Sequence, residues 1–330
     1  MIDILKNSII KTLVFFDMYD HPLTTVELFE FLFFDGENLS CEENFKKIEK
    51  MTFGEFISEI EKYKNDKEID FKNGFWFLRG REDNIVCRLK RCKILDHKMF
   101  IAKKAIKKIS SLPFLRAVFV CNTLTYGIVD EKSDIDVFVI VKKNRLWLSR
   151  FLITCLLSIF ALRRTNKKVT DRICLSFYVT DNSLNLNSIK ISGLDIYLLY
   201  WIKNLIPVYD PDNLKNSLQK ANVWAERYFK NQKYLFTSAD VWKIENSKFK
   251  DRIKNILEKI FSGIFFDTVE NICRFFQKIK MKSKAEWRRE EKAVIINNNM
   301  LKFHENDRRR FYQKKWLEKC LENGIKNNYE

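Results

Sequence analysis

The chain has 330 residues, 46% of them hydrophobic, and a formal net charge of +17. That is enough apolar surface for a substantial core in two or three domains, and 8 glycines with 4 prolines leave little for long flexible linkers, which argues against extended disorder. The positive balance suits nucleic acid, nucleoside triphosphate or an acidic protein as a partner, and says nothing about fold.

Residues 1 to about 90 read as a small helix-rich unit. Ile9, Ile10, Leu13, Val14 and Phe16 recur at helical spacing. Asp20-His21-Pro22-Leu23-Thr24-Thr25 breaks that pattern. Thr24 or Thr25 can then cap a second helix over Val26 to Phe33, with Glu27 near its first turn. A third helix is predicted around Phe53 to Tyr63. The run Phe71 to Leu78 carries Asn73-Gly74 at its middle, a hairpin dipeptide because both residues tolerate positive φ. Helices followed by a short hairpin make a winged-helix-like layout.

A basic helical stretch follows from about Asn84 to Ile109, with Arg88, Arg91 and Lys98 among its cations, read as a solvated face. From Pro113 the period changes to that of strands: Ala117 to Cys121 and Ile135 to Val141, then a helix over roughly Trp147 to Leu162, then a third strand, Arg172 to Val179. Strands separated by a helix indicate an α/β unit. After about Leu194 the pattern is helical to the end, with a break at Asp210-Pro211-Asp212 and candidate caps in Thr237-Ser238-Ala239-Asp240. Lys278, Lys280, Lys282, Lys284, Arg288 and Arg289 surround Trp287, and Arg308-Arg309-Arg310 comes later. Cations with an interleaved aromatic suit phosphates and bases, and equally a solvated helix face.

The chemistry-bearing segment is Asn122 to Asp136. Side chains alternate along a strand, so Asp134 and Asp136 point to one side while Ile135 and Val137 enter the core. Two carboxylates held this close repel unless a cation lies between them. Magnesium is the natural occupant, because it takes hard oxygen ligands and bridges to phosphate.

This spacing resembles the signature of nucleotidyltransferases of the DNA polymerase beta superfamily. In that family a strand ends in Gly-Ser, a second glycine lies five positions after the first, and a Ser-Asp-x-Asp strand begins a few residues later. Gly127 falls on the second glycine, Ser133-Asp134-Ile135-Asp136 on the strand start, and Asn122-Thr123 on the Gly-Ser pair. The resemblance implies catalytic, metal-binding roles for Asp134 and Asp136 with Mg2+ or Mn2+. It places Asn122, Thr123 and Gly127 on a triphosphate, with Ser133 shaping the strand entrance. Two departures stand out. Asn122 adds a side chain where backbone approaches phosphate, although asparagine tolerates positive φ. The family's third carboxylate has no acidic counterpart: alternation puts Cys174, Ser176 and Tyr178 on one face, with Ser176 at the expected position. The Asp17 to Leu28 stretch, Leu78 to Glu82, Arg145-Leu146-Trp147 and Phe303-His304 also look like bacterial and archaeal nucleotidyltransferase-domain proteins that join a winged-helix-like region to the core and a helical tail.

The expected class is therefore α+β: a winged-helix-like domain over 1–90, a small mixed-sheet nucleotidyltransferase core over 91–193 and an all-helical region over 194–330. The expected reaction moves a nucleoside monophosphate from a nucleoside triphosphate to a hydroxyl acceptor, with RNA or DNA favoured by the basic surface. The alternative is a catalytically degenerate protein of the same fold that binds nucleic acid or a partner. Eight cysteines without a Cys-x-x-Cys pair, Cys121 and Cys174 among them in apolar runs, read as reduced thiols of a cytoplasmic protein. His21, His97 and His304 are too few for a histidine metal site. Asp3 and Lys6 interrupt any signal-peptide layout. The apolar run Phe151 to Leu162 is too short to span a bilayer and reads as a buried core helix, so no membrane contact is expected.

Overall fold

A computed structural model describes residues 2–34, 48, 50–64, 66–229, 239–245, 247–282, 293–303 and 307–325. Thr237, Ser238, Lys284, Trp287, Arg288, Arg289, Cys41 and His304 lie outside the described residues.

Helices α1 (Ile2–Asp17), α2 (Thr25–Glu30) and α3 (Phe53–Ile60) and strands β1 (Leu23–Thr24), β2 (Ile69–Lys72) and β3 (Phe75–Leu78) form the first part of the chain. Thr24 caps α2: its hydroxyl accepts from Glu27 N at 3.3 Å, while the Glu27 carboxylate accepts from Thr24 N at 2.9 Å. That reciprocal pair satisfies two amides that the first turn leaves without helical partners. Asn73 and Gly74 turn the hairpin at φ of 53° and 85°, and the antiparallel sheet runs in the order β1-β3-β2. From Ser8 to Asp17 every residue of α1 is buried. A helix covered on all sides is an interior element.

After the long helix α4 (Asn84–Ile109) come β4 (Leu115–Val120), β5 (Ile135–Val141), α5 (Leu146–Ile159) and β6 (Ile173–Thr180). They are followed by α6 (Ile196–Lys203), β7 (Ile206–Tyr209), α7 (Leu214–Ala221), α8 (Val223–Glu226), α9 (Ala239–Trp242), α10 (Lys248–Ile260), α11 (Ile264–Lys282), β8 (Val294–Ile296), β9 (Met300–Phe303) and α12 (Arg309–Glu322). The main sheet is mixed, in the order β7-β4-β5-β6-β9-β8. Strand β5 is antiparallel to β4 and parallel to β6, and β9 is antiparallel to β6.

The expectation of an all-helical region after residue 194 is thus corrected. Strands β7, β8 and β9 come from it, and β9 lies inside the sheet. Strands of three or four residues are too short to show a period-two pattern beside long helices. Apolar side chains from all three parts of the chain meet in the core. Val14, Trp76, Phe119, Tyr200 and Trp316 belong to one cluster on one face of the sheet, and Val118, Val137, Ile153 and Tyr178 to another on the opposite face. The first and last described helices are joined directly: Trp316 Nε1 donates to Lys11 O at 3.0 Å, and Lys319 Nζ lies 2.7 Å from Asp17 Oδ2.

The apolar run in α5 is only half interior. Ile153 and Leu157 are buried, whereas Phe151, Ile159 and Phe160 are exposed. Among the described residues no helix is long and apolar enough to cross a membrane.

Candidate active site

Asp136 sits at the start of β5, on the side chain parity of Phe138 and Ile140, and the buried Ile135 and Val137 face the other way. The loop before it is fixed from α4. Lys98, 1% exposed, donates to Ser133 O at 2.8 Å and Glu131 O at 3.2 Å and pairs with Asp171 at 2.8 Å. Lys98 is therefore no part of a solvated face. A lysine buried this fully needs both a counter-charge and carbonyl acceptors, and this one finds them in the loop it holds.

Asn122 occupies the left-handed region at φ 59°, a conformation that asparagine tolerates better than most residues. Its side chain is engaged on both ends. Nδ2 donates to Asp136 Oδ2 at 2.8 Å, and Oδ1 accepts from Trp201 Nε1 at 2.8 Å. Gly127 ends the short 3-10 turn of Asn122–Tyr126 at φ 70°, and a Cβ there would stand 3.2 Å from His21 Cε1. His21 is buried against Arg88 and Arg91, and burial, then the two cations, pushes its pKa well below the usual range.

Opposite Asp136 in the parallel register is Cys174. The Asp134 and Asp136 carboxylates and the Cys174 thiol lie within 4.8 Å of one another. Ser176 does not take the third position, contrary to the alternation expected along β6. The register shifts between Asp136–Cys174 and Phe138–Phe177, so one extra residue of β6 enters the ladder. Phe177 then continues the Asp136 face, Tyr178 joins the opposite core, and the buried Ser176 hydroxyl has no hydrogen bond. Burial and the Asp134 charge raise the Asp136 pKa, while Asn122, Cys174 and Arg164 pull it back. Burial and the same carboxylates push the Cys174 thiol up. Arg164 Nε lies 3.1 Å from Asp134 Oδ2 without hydrogen-bond geometry, which leaves that oxygen buried and unbonded.

Asn122, Thr123 and Asp136 open onto a cavity of about 240 Å³ whose other walls are Phe177, Trp201, Tyr197 and the β9–α12 junction. Gly127 and Ser133 do not line it: the first shapes the turn and the second is held to Asp130 by its own hydroxyl at 2.8 Å. The junction brings Lys302, Asp307, Arg308, Arg309 and Tyr312 to the cavity. Asp307 takes Lys302 at 2.9 Å and Arg309 at 2.7 Å, and Arg309 also reaches Asp195 at 2.8 Å, the carboxylate that caps α6 by accepting from Leu198 N. Burial, then Arg309, lowers the Lys302 pKa to about 8. Hydrogen bonds from Arg309 and the charge of Lys302 hold Asp307 far below the usual carboxylate range against the opposing effect of burial.

Sequence reasoning missed Cys174, Trp201, Lys302, Asp307 and Arg308 as site residues. Arg308-Arg309-Arg310 was visible as a charge run, but its division was not: Arg309 is buried in ion pairs, while exposed Arg308 lies over Phe311 at 4.8 Å. No protein-family model, curated protein or solved structure matches this chain.

Proposed function

We propose that this chain is a metal-dependent nucleotidyltransferase of the DNA polymerase beta type, with the β4–β6 sheet as its catalytic core and the first 90 residues as a winged-helix-like part. The observation that carries this reading is the cluster of Asp134 and Asp136 with Cys174, of which Asp136, but not Asp134, lines a cavity that also carries Lys302, Arg308 and Arg309. A metal-binding carboxylate and Arg308 on one cavity suit a polyphosphate chain with its cation, because charge of each kind is then met by its opposite.

The donor set fits a divalent cation. Asp134 Oδ2 is a buried acceptor without a hydrogen bond, and Asp136 stands beside it. A thiol in third place suits magnesium poorly, since magnesium demands oxygen, and suits manganese better. When bound, the cation would neutralise phosphate charge and lower the cost of activating an acceptor hydroxyl. The chain's own groups have separate tasks. Asn122 orients Asp136, Trp201 orients Asn122, and Lys98 fixes the loop that presents Asp134. Arg308 attracts phosphate at the cavity wall.

The test is transfer of label from each radiolabelled nucleoside triphosphate to RNA, DNA and protein hydroxyls in Mn2+. Manganese should raise the wild-type melting temperature and support labelling. Asp134→Asn with Asp136→Asn should abolish both, and Cys174→Asp should increase labelling in Mg2+. A wild type that labels nothing and melts identically with and without metal removes the proposal. Arg164 beside Asp134 and the missing third carboxylate specifically favour a second reading, a nucleotidyltransferase-fold binding protein. That reading predicts triphosphate binding without transfer in both the wild type and Cys174→Asp.

A further inference from the structure

Helices α10 and α11 carry their polar and apolar faces in an unusual sense. A surface helix ordinarily buries its apolar stripe. Helix α11 packs Cys273 and Met281 on the core and holds it mainly through polar side chains. Glu270 accepts from Trp147 N at 2.9 Å and Leu148 N at 2.8 Å, capping α5, and Gln277 bonds Trp147 O at 2.8 Å and Arg150 at 2.6 Å. Its outward side carries Ile264, Phe265, Ile272, Phe275, Phe276 and Ile279, between 48% and 87% exposed. Helix α10 repeats the pattern. Glu258 is turned inward onto Arg116 at 2.6 Å and Phe114 N at 2.8 Å, and Lys254 is buried on Tyr209 and Leu115 O. Phe249, Ile256 and Ile260 are exposed.

The charges follow the same division. Glu258 and Glu270 are turned onto the core, and Asp267, 59% exposed, is paired with Arg145 at 2.6 Å. Lys248, Arg252 and Lys259 of α10 are exposed beside its apolar stripe. The outward surface is thus apolar with a cationic margin. From this we propose that α10 and α11 form an attachment surface for an anionic phospholipid membrane, with the helices lying in the plane of the headgroups and the phenylalanines entering the acyl boundary. Surface attachment needs no spanning helix, and an amphipathic helix with cations beside a Phe/Ile stripe has the chemistry for it. This departs from the expectation of no membrane contact. A second copy of the chain is a poorer occupant, because cationic margins would meet cationic margins on molecules that each carry +17. RNA is poorer too, since isoleucine offers no stacking face and phosphate would meet the apolar centre.

The experiment is co-sedimentation of the full chain with vesicles of phosphatidylcholine alone and of phosphatidylcholine mixed with phosphatidylglycerol. The wild type should pellet with the anionic vesicles, less so at high salt. Phe275→Glu with Phe276→Glu, an exposed pair whose replacement should leave circular dichroism unchanged, should weaken partitioning at least about tenfold. Arg252→Glu with Lys259→Glu should reduce it to the level of neutral vesicles. A wild type that stays in the supernatant with both vesicle types overturns the proposal, as does unaltered binding by the phenylalanine variant. If the unbound wild type is instead a dimer that the phenylalanine variant dissociates, the surface belongs to a second copy. If it binds RNA through Arg252 and Lys259, the surface belongs to nucleic acid.

Discussion

At the scale of single residues, Asn122 shows how one side chain fills two requirements. It supplies the positive φ that the turn after β4 demands, and it bridges Asp136 to Trp201. Its tolerance of that backbone was readable from residue type alone, whereas its bridging role depends on Trp201, 79 positions away. Replacing it with glycine keeps the turn but removes both hydrogen bonds. Asn122→Gly should therefore lower stability by about 1–2 kcal/mol in denaturant unfolding, while leaving Asp136 freer to bind metal. The measurement is urea titration with and without Mn2+. An unchanged midpoint without metal would show that the bridge contributes nothing to the fold. The displacement of Ser176 was not readable, because it depends on one extra residue in β6 after Cys174, and no local pattern in Ile173 to Thr180 marks where the ladder shifts.

At the scale of elements, legibility tracked length. Helix α4 and strand β5 span the residues expected of them, a long helix without Gly or Pro to interrupt it and a seven-residue apolar strand. The hairpin β2–β3 was carried by Asn73-Gly74. Strands β7, β8 and β9, at four, three and four residues, had no such signal. Helix α4 also shows a limit of charge counting. Arg88 pairs with Glu27, Arg91 donates to Tyr19 O at 2.8 Å, and Lys98 is buried, so these cations hold the site loop and the first helices instead of facing a partner. Lys98→Met would leave Asp171, itself a quarter exposed, without its close cation. The expected loss is about 2 kcal/mol, discounted for solvent at Asp171. The metal-dependent rise in melting temperature should shrink with it, because the loop carrying Asp134 loses its anchor. A variant as stable as wild type would show that the loop is held elsewhere.

At the scale of the whole molecule, the last 30 or so described residues close both the fold and the cavity. Asp307 couples β9 to α12, and Arg309 couples α12 to the capped start of α6. Because the folded pKa of Asp307 is held below its unfolded value of about 3.9, its contribution is present above that pH and is lost as pH falls toward the folded value. Asp195 shifts the opposite way, since burial outweighs Arg309 there, and offsets part of the loss. The melting temperature should therefore drop below about pH 4, and Asp307→Asn should lower stability at neutral pH by about 3 kcal/mol while flattening that acid limb. Thermal melts from pH 3 to 7 decide it, and an equally steep limb in the variant would assign the acid sensitivity to other carboxylates. The placement of β9 between β6 and β8 has a consequence for the nascent chain. During synthesis the edge of β6 stays unpaired until residues 300–303 have left the ribosome, long after Asp134, Asp136 and Cys174 have emerged. Any premature partner for that edge, including another nascent copy, competes with the chain's own late strand, so misassembly should concentrate in this interval and slowed translation before it should lower the folded yield.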